Sequence, residues 1–254
     1  MRDAHKKRRV SWLEVKYFQN NLIYLLSWGS LDSKLSIKIY STQHVFGKSR
    51  KIVGKLKKEG KYMGYLKSLG EAPHLYDVMN VSPRMAMYLF KMTDEIMLVE
   101  GSLNDKEREL IAAYVSGLNA CSFCYRGHKA IAEMFGIEEG LIDSLVEDIE
   151  SVNLDEKMKA ALRYSKKVTE TASKLVYSDA EELYAVGWDE NALMNIVEIC
   201  ALFAMYNRLA DGTGVIAGNT KTTLTANKKH GSYIDNLVDF GIDVPEDMKV
   251  IIDI

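Results

Sequence analysis

Four residues near the middle of the chain have types and a spacing suited to thiol chemistry: Glu109, Cys121, Cys124 and His128, in the pattern E-x11-C-x2-C-x3-H. On a helix Cys124 and His128 stand at i and i+4 and share a face. Cys121 lies one turn earlier on that face, and Ile131 and Phe135 continue it, so the stripe is expected to point inward. The thiolate is the reactive form of cysteine, and two features here favour it. The start of a helix offers unpaired N–H groups and the positive end of the macrodipole, and a neighbouring imidazolium adds a positive charge. C-x-x-C thiols can titrate at about 7 or lower, against about 8.5 for a free cysteine. Glu109 sits on the preceding helix, where a carboxylate can orient His128 or take up its proton, directly or through a water. Burying that carboxylate alone is costly, so it needs a partner.

Other uses of the same residues follow different rules. Cys121, Cys124 and His128 could be three zinc ligands with Glu109 or Cys200 as the fourth, but structural zinc sites usually pair two such knuckles and no second one is visible. Haem attachment requires histidine directly after the second cysteine, where Tyr125 stands. A thioredoxin-type site expects strands around its C-x-x-C, and none are evident. A lone inward cysteine or histidine is usually structural; the combination at this spacing argues against that. Cys200, among Ile196, Val197, Ile199 and Phe203, reads as buried and inert.

The elements that must position these residues are helical. Ser82-Pro83 fits a helix start with proline in the first turn, and Met85, Met87, Tyr88, Phe90, Met92 and Ile96 carry that helix towards Gly101. Asn104 with Glu107 forms a capping box that starts a helix from Asp105 to about Leu118. Its Glu109 face runs through Ala112, Ala113, Ser116 and Ala120, small residues that let the cysteine helix approach. The cysteine helix runs from about Cys121 to Phe135, with Gly136 as a left-handed stop. Further helices fit 138–150, 155–172, 179–186 and 189–210, with Gly212 and Gly214 closing the last. From Tyr233 onward the tail is uninformative. No strand–helix alternation suggests a parallel sheet. Three prolines in 254 residues suit long helices, and no run of about 18 apolar residues predicts a membrane-spanning helix.

The net charge of −2 hides a split: residues 1–70 carry 16 Lys/Arg against 4 Asp/Glu, and the rest carry 17 against 31. Residues 1–62 therefore read as a basic, partly disordered extension, with Lys6-Lys7-Arg8-Arg9, a second basic run from Lys48 to Lys61, and an alternating stretch, Leu35–Ile39, that reads as a short strand. A nucleic-acid or anionic-membrane role for this arm, and a targeting role for Leu22–Trp28, are minor alternatives. Residues 63–254 form the helical domain. Three cysteines are too few for a secreted disulfide scaffold, which points to a reducing compartment such as the cytoplasm.

Glu107-Arg108-Glu109-Leu110-Ile111, then Asn119-Ala120-Cys121-Ser122-Phe123-Cys124 and His128, resemble the AhpD-like (alkylhydroperoxidase D-type) proteins of the carboxymuconolactone decarboxylase superfamily, peroxidase-related branch. Asn207-Arg208-Leu209-Ala210-Asp211-Gly212 extends the resemblance, which covers about residues 70–215. It implies an all-α AhpD-like bundle assembled as a homo-oligomer, trimer or hexamer, that reduces hydroperoxides for antioxidant defence without a cofactor or metal. It further implies Cys124 as the peroxidatic thiolate, Cys121 as its disulfide partner, His128 and Glu109 as the proton relay, and an external dithiol, such as a lipoyl-bearing protein, as reductant. The best-known members carry a second histidine where Phe123 stands, which leaves open a dithiol–disulfide partner or sensor. The decarboxylase branch generally lacks the cysteine pair.

Overall fold

The computed structural model describes residues 64–70, 73–215, 232–242 and 244–251, and the backbone of three strands nearer the N-terminus. The chain divides into two units, 1–62 and 63–254. In the first, β1 (Val15–Gln19), β2 (Leu22–Ser27) and β3 (Ser36–Ser41) form an antiparallel meander, with Tyr17 opposite Tyr24 and Tyr24 opposite Ile39. The stretch expected as one short strand is thus the third of three. Leu22–Trp28, weighed as a targeting run, lies mostly in β2. Both basic clusters fall outside the described residues.

The second unit is a helical bundle. Its helices are α1 (Leu75–Asn80), α2 (Pro83–Met97), α3 (Asp105–Leu118), α4 (Ser122–Met134), α5 (Leu141–Glu147), α6 (Glu156–Thr171), α7 (Tyr177–Ala185), α8 (Glu190–Thr213) and α9 (Tyr233–Asp239). Their starts follow the local chemistry. Asn104 and Glu107 exchange side-chain and backbone hydrogen bonds at 3.0 and 2.8 Å. Asp155 and Asp189 accept from the third residue of α6 and α8. Each such cap is worth about 1 kcal/mol. Two expected boundaries differ. The segment 138–150 is shorter than expected, since Gly140 delays α5 and its end passes into a 3-10 turn, Ile149–Ser151. Gly212 lies inside α8, and Gly214 alone, at φ 78°, is its left-handed stop.

Helix α3 is the centre of the bundle. Every residue from Arg108 to Gly117 is buried, and α4, α5, α6 and α8 pack around it. A helix buried all round cannot be amphipathic in the surface sense, and its one buried cation is fully engaged. Arg108 donates to Asn195 Oδ1 and to the carbonyls of Met97 and Val99, which fixes the start of α3 and the register of Glu109 beside it. Gly117 permits the closest approach: a Cβ there would stand 2.6 Å from Val146 and 3.2 Å from the Tyr125 ring. Helix α8 is long and apolar enough to cross a membrane by length and composition. Here it packs on α3 and α6, burying Ile196, Ile199, Leu202, Phe203 and Tyr206.

Candidate active site

The corner between α3 and α4 sets the two thiols. Asn119 ends α3 and Ala120 adopts the left-handed conformation at φ 61°. The N–H of Cys121 then returns to Ser116 O and that of Ala120 to Gly117 O, both at 3.0 Å. This is a Schellman closure with alanine where glycine is usual. Cys121 is at once the residue that closes α3 and the N-cap of α4. Cys124 follows in the first turn of α4, at the positive end of its dipole. Both side chains are buried, Cys121 wholly and Cys124 at 4% exposure.

The two thiols titrate in opposite directions. Cys124 is held below the ordinary thiol range, first because the Cys121 thiol donates to its sulfur, then through the charge of His128 and a hydrogen bond from Asn207, with burial opposing. Cys121 is pushed far up, by that donation to Cys124 and by burial, with the nearby charge of Asp211 adding. When one thiol of the pair ionises it is therefore Cys124, and Cys121 keeps its proton. Asp211, one turn beyond Asn207 on α8, is raised by desolvation, while its hydrogen bond with Cys121 opposes the rise.

One turn after Cys124, His128 Nδ1 lies 2.6 Å from Glu109 Oε2. Burial works against the imidazolium, but the charge and hydrogen bond of Glu109, with Cys124 beyond, outweigh it and raise the His128 pKa. Because Glu109 takes Nδ1, Nε2 is the nitrogen left for a thiol. Phe203 of α8 packs edge-on against the imidazole, ring centres 4.4 Å apart. The other oxygen of Glu109 accepts from the Tyr233 hydroxyl at 2.8 Å. The carboxylate, 5% exposed, therefore has two partners.

The structure brings Glu109, Cys121, Cys124 and His128 together. Phe135 does not continue the inward stripe: it is 49% exposed because α4 turns off at Gly136, φ 90°. Phe123 lies edge-on to His74, ring centres 5.0 Å apart, in a stack that includes Tyr76 and Phe240. Cys200 is buried against Ser165 O at 3.8 Å, and its thiol is pushed up to about 11 by desolvation. Of the two fourth ligands weighed for zinc, Glu109 is hydrogen-bonded to His128 and Tyr233 and Cys200 to Ser165 O. Among the described residues no cluster of three or more His, Cys, Asp or Glu has metal-binding geometry.

Three contributors lie outside the E-x11-C-x2-C-x3-H pattern. Asn207 donates to Ser116 Oγ at 3.1 Å and accepts from Asn119 at 2.9 Å, so it ties the corner to α8. Tyr233 comes from the tail. Asp94 of α2 accepts from the N–H groups of Tyr233 and Ile234 and from Ser232 Oγ, at 2.6, 3.3 and 2.8 Å, and so seats α9.

The helical bundle of residues 63–254 is AhpD-like in fold. The sequence pattern of the carboxymuconolactone decarboxylase family matches residues 83–167, and the chain belongs to this family. The uncharacterized protein YdfG of Bacillus subtilis (strain 168) is 30% identical over 115 residues, which cover 45% of this chain and 78% of YdfG. Among solved structures, an uncharacterized peroxidase-related protein of Ralstonia eutropha JMP134 with an alkylhydroperoxidase AhpD core is similar at TM-score 0.55. It is 22% identical, and the match covers 67% of this chain and 84% of that one. The debrominase Bmp8 bound to 2,3,4-tribromopyrrole is similar at TM-score 0.51 and 17% identity, over 59% and 80%. At these identities the likeness is one of fold.

Proposed function

We propose that the protein is a dithiol peroxidase of the AhpD-like type. The observation that carries this reading is the placement of the thiol pair: buried Cys121 caps α4 and buried Cys124 lies in its first turn, one turn before His128, whose Nδ1 stands 2.6 Å from Glu109 Oε2. The Cys124 thiolate attacks one oxygen of a hydroperoxide. The S–O bond forms as the O–O bond breaks, and the departing alkoxide takes a proton from the His128–Glu109 pair, leaving an alcohol and a sulfenic acid. Cys121 then attacks the sulfenic sulfur. Its thiol proton leaves with the displaced hydroxide as water, and a Cys121–Cys124 disulfide results. Two thiols and one hydroperoxide thus give one disulfide, one alcohol and one water. An external dithiol returns the pair to the reduced state by exchange. Tyr88 and Met92, exposed one turn apart on α2, offer apolar surface for the homo-oligomer this reading includes.

A second reading keeps the dithiol but not rapid peroxide reduction. It is favoured by Phe123, which brings no proton-handling group to the side of Cys124. The two are separated by stopped-flow oxidation of the reduced protein with cumene hydroperoxide, followed by mass spectrometry. Fast formation of the Cys121–Cys124 disulfide, lost in Cys124→Ser, is expected. Oxidation no faster than that of a free thiol would reject the peroxidase, and rapid exchange with oxidised lipoamide would then favour the second reading.

A further inference from the structure

The described part of the C-terminal region reaches the site through a single side chain. Tyr233 opens α9, and its hydroxyl donates to Glu109 Oε1 at 2.8 Å, while Glu109 Oε2 faces His128 Nδ1 at 2.6 Å. Glu109 and Tyr233 are 124 positions apart in the chain. The contact is not loose. Asp94 fixes the backbone of Tyr233 and Ile234 and the hydroxyl of Ser232. Asn236 donates back to Ser232 O at 2.7 Å, and Ile234 and Leu237 are buried in the core. α9 packs on α2, so α2 holds the helix and the helix presents the phenol.

We propose that Tyr233 is a positioning residue of the thiol site: its hydroxyl holds the Glu109 carboxylate aimed at His128, and through that pair it sustains the Cys124 thiolate. The inference rests on the thiol site proposed above. A nearly buried carboxylate needs hydrogen-bond partners, and Glu109 has two. With Tyr233 removed, one partner remains, and the carboxylate is no longer fixed opposite His128 Nδ1. The support that Glu109 gives to the charge on His128, and through it to the thiolate, is weakened. The phenol stays protonated as a donor, because burial, the charge of Glu109, and Tyr206 and Tyr76 nearby all raise its pKa. The groups that bear on Cys124 itself are Cys121, His128, Asn207 and Asp211, and Tyr233 reaches it only through Glu109 and His128.

The test is Tyr233→Phe, which keeps the ring and removes the oxygen, in the full-length chain. Thiolate formation at Cys124 is followed by ultraviolet absorbance and by the pH dependence of its alkylation, located by mass spectrometry. Neither readout needs a peroxide, so a failed peroxidase assay leaves this test standing. The titration is expected to move to higher pH, with the thiolate fraction below the midpoint falling about three- to tenfold, the scale of one ordinary hydrogen bond, because Tyr233 acts on Cys124 only through Glu109 and His128. In a Glu109→Gln background the same substitution is expected to change nothing further. An unchanged or lowered titration with normal thermal unfolding would reduce Tyr233 to a packing residue. A shift that persists in the Glu109→Gln background would overturn the route through Glu109.

Discussion

Replacing Glu109 by Gln removes a charge while keeping shape, and its consequences are calculable from two distances. Glu109 holds His128 at 2.6 Å and Tyr233 at 2.8 Å, and both His128 and Glu109 are largely buried. A hydrogen bond between charged partners in such a place contributes about 1.5–3 kcal/mol, and solvent screening is slight. The loss must depend on pH. His128 titrates higher in the folded protein than its ordinary value, so the contribution is complete below about 6.5, where the unfolded histidine is also protonated. It fades as pH rises through the raised folded value. In Glu109→Gln the desolvation of His128 is unopposed, its folded pKa drops, and the variant loses stability as pH falls. Urea unfolding is therefore expected to show a difference of about 2 kcal/mol at pH below 6.5 that shrinks as pH rises. Oxidation of Cys124 by hydroperoxide at neutral pH should slow by about tenfold or more, since 1.36 kcal/mol is a factor of ten. A stability difference independent of pH would refute the argument, because it would mean that His128 carries no charge that Glu109 supports.

Asn207→Ala orphans Ser116 Oγ and Asn119 Nδ2 and removes a donor to the Cys124 sulfur; it should cost about 1–3 kcal/mol in denaturant unfolding and raise the thiolate titration. Gly117→Ala places a methyl group 2.6 Å from Val146, and overpacking of this kind typically costs about 1–3 kcal/mol. Thermal unfolding should show that loss, with slower thiol oxidation as α4 shifts on α3.

Local signals were legible and distant ones were not. Asn104 and Glu107 mark the start of α3, and Ser82-Pro83 that of α2, because caps act within one turn. The C-x-x-C and His128 were legible because helical periodicity puts i and i+4 on one face, and Glu109 because the chain turns back directly after its helix. The register of Phe135 failed for a related reason: periodicity carries a stripe forward but does not say where the helix lets go. Asn207 and Tyr233 act across 83 and 124 positions, to Cys124 and Glu109. Nothing in a seven-residue helix announces that its first tyrosine ends on a carboxylate of the central helix. Only the packing of α9 on α2 and α8 on α3 makes them neighbours. The three-stranded meander was likewise read as one strand, since β1 and β2 lack the clean alternation of Ser36–Ile39.

The left-handed alanine at the α3–α4 corner bears on which sequences can drift into this site. Ala120 at φ 61° sits in a conformation that costs an L-residue about 1–2 kcal/mol, and it does so at the one position between the helix that carries the carboxylate and the cysteine that caps the next. Glycine or asparagine would occupy it at lower cost. Valine, isoleucine or threonine would have to abandon the corner, and with it the placement of both thiols. Neutral evolution at this site is therefore confined to a handful of small residues for a reason unrelated to reactivity: the backbone, rather than the chemistry, sets the narrowest filter on what can stand before Cys121.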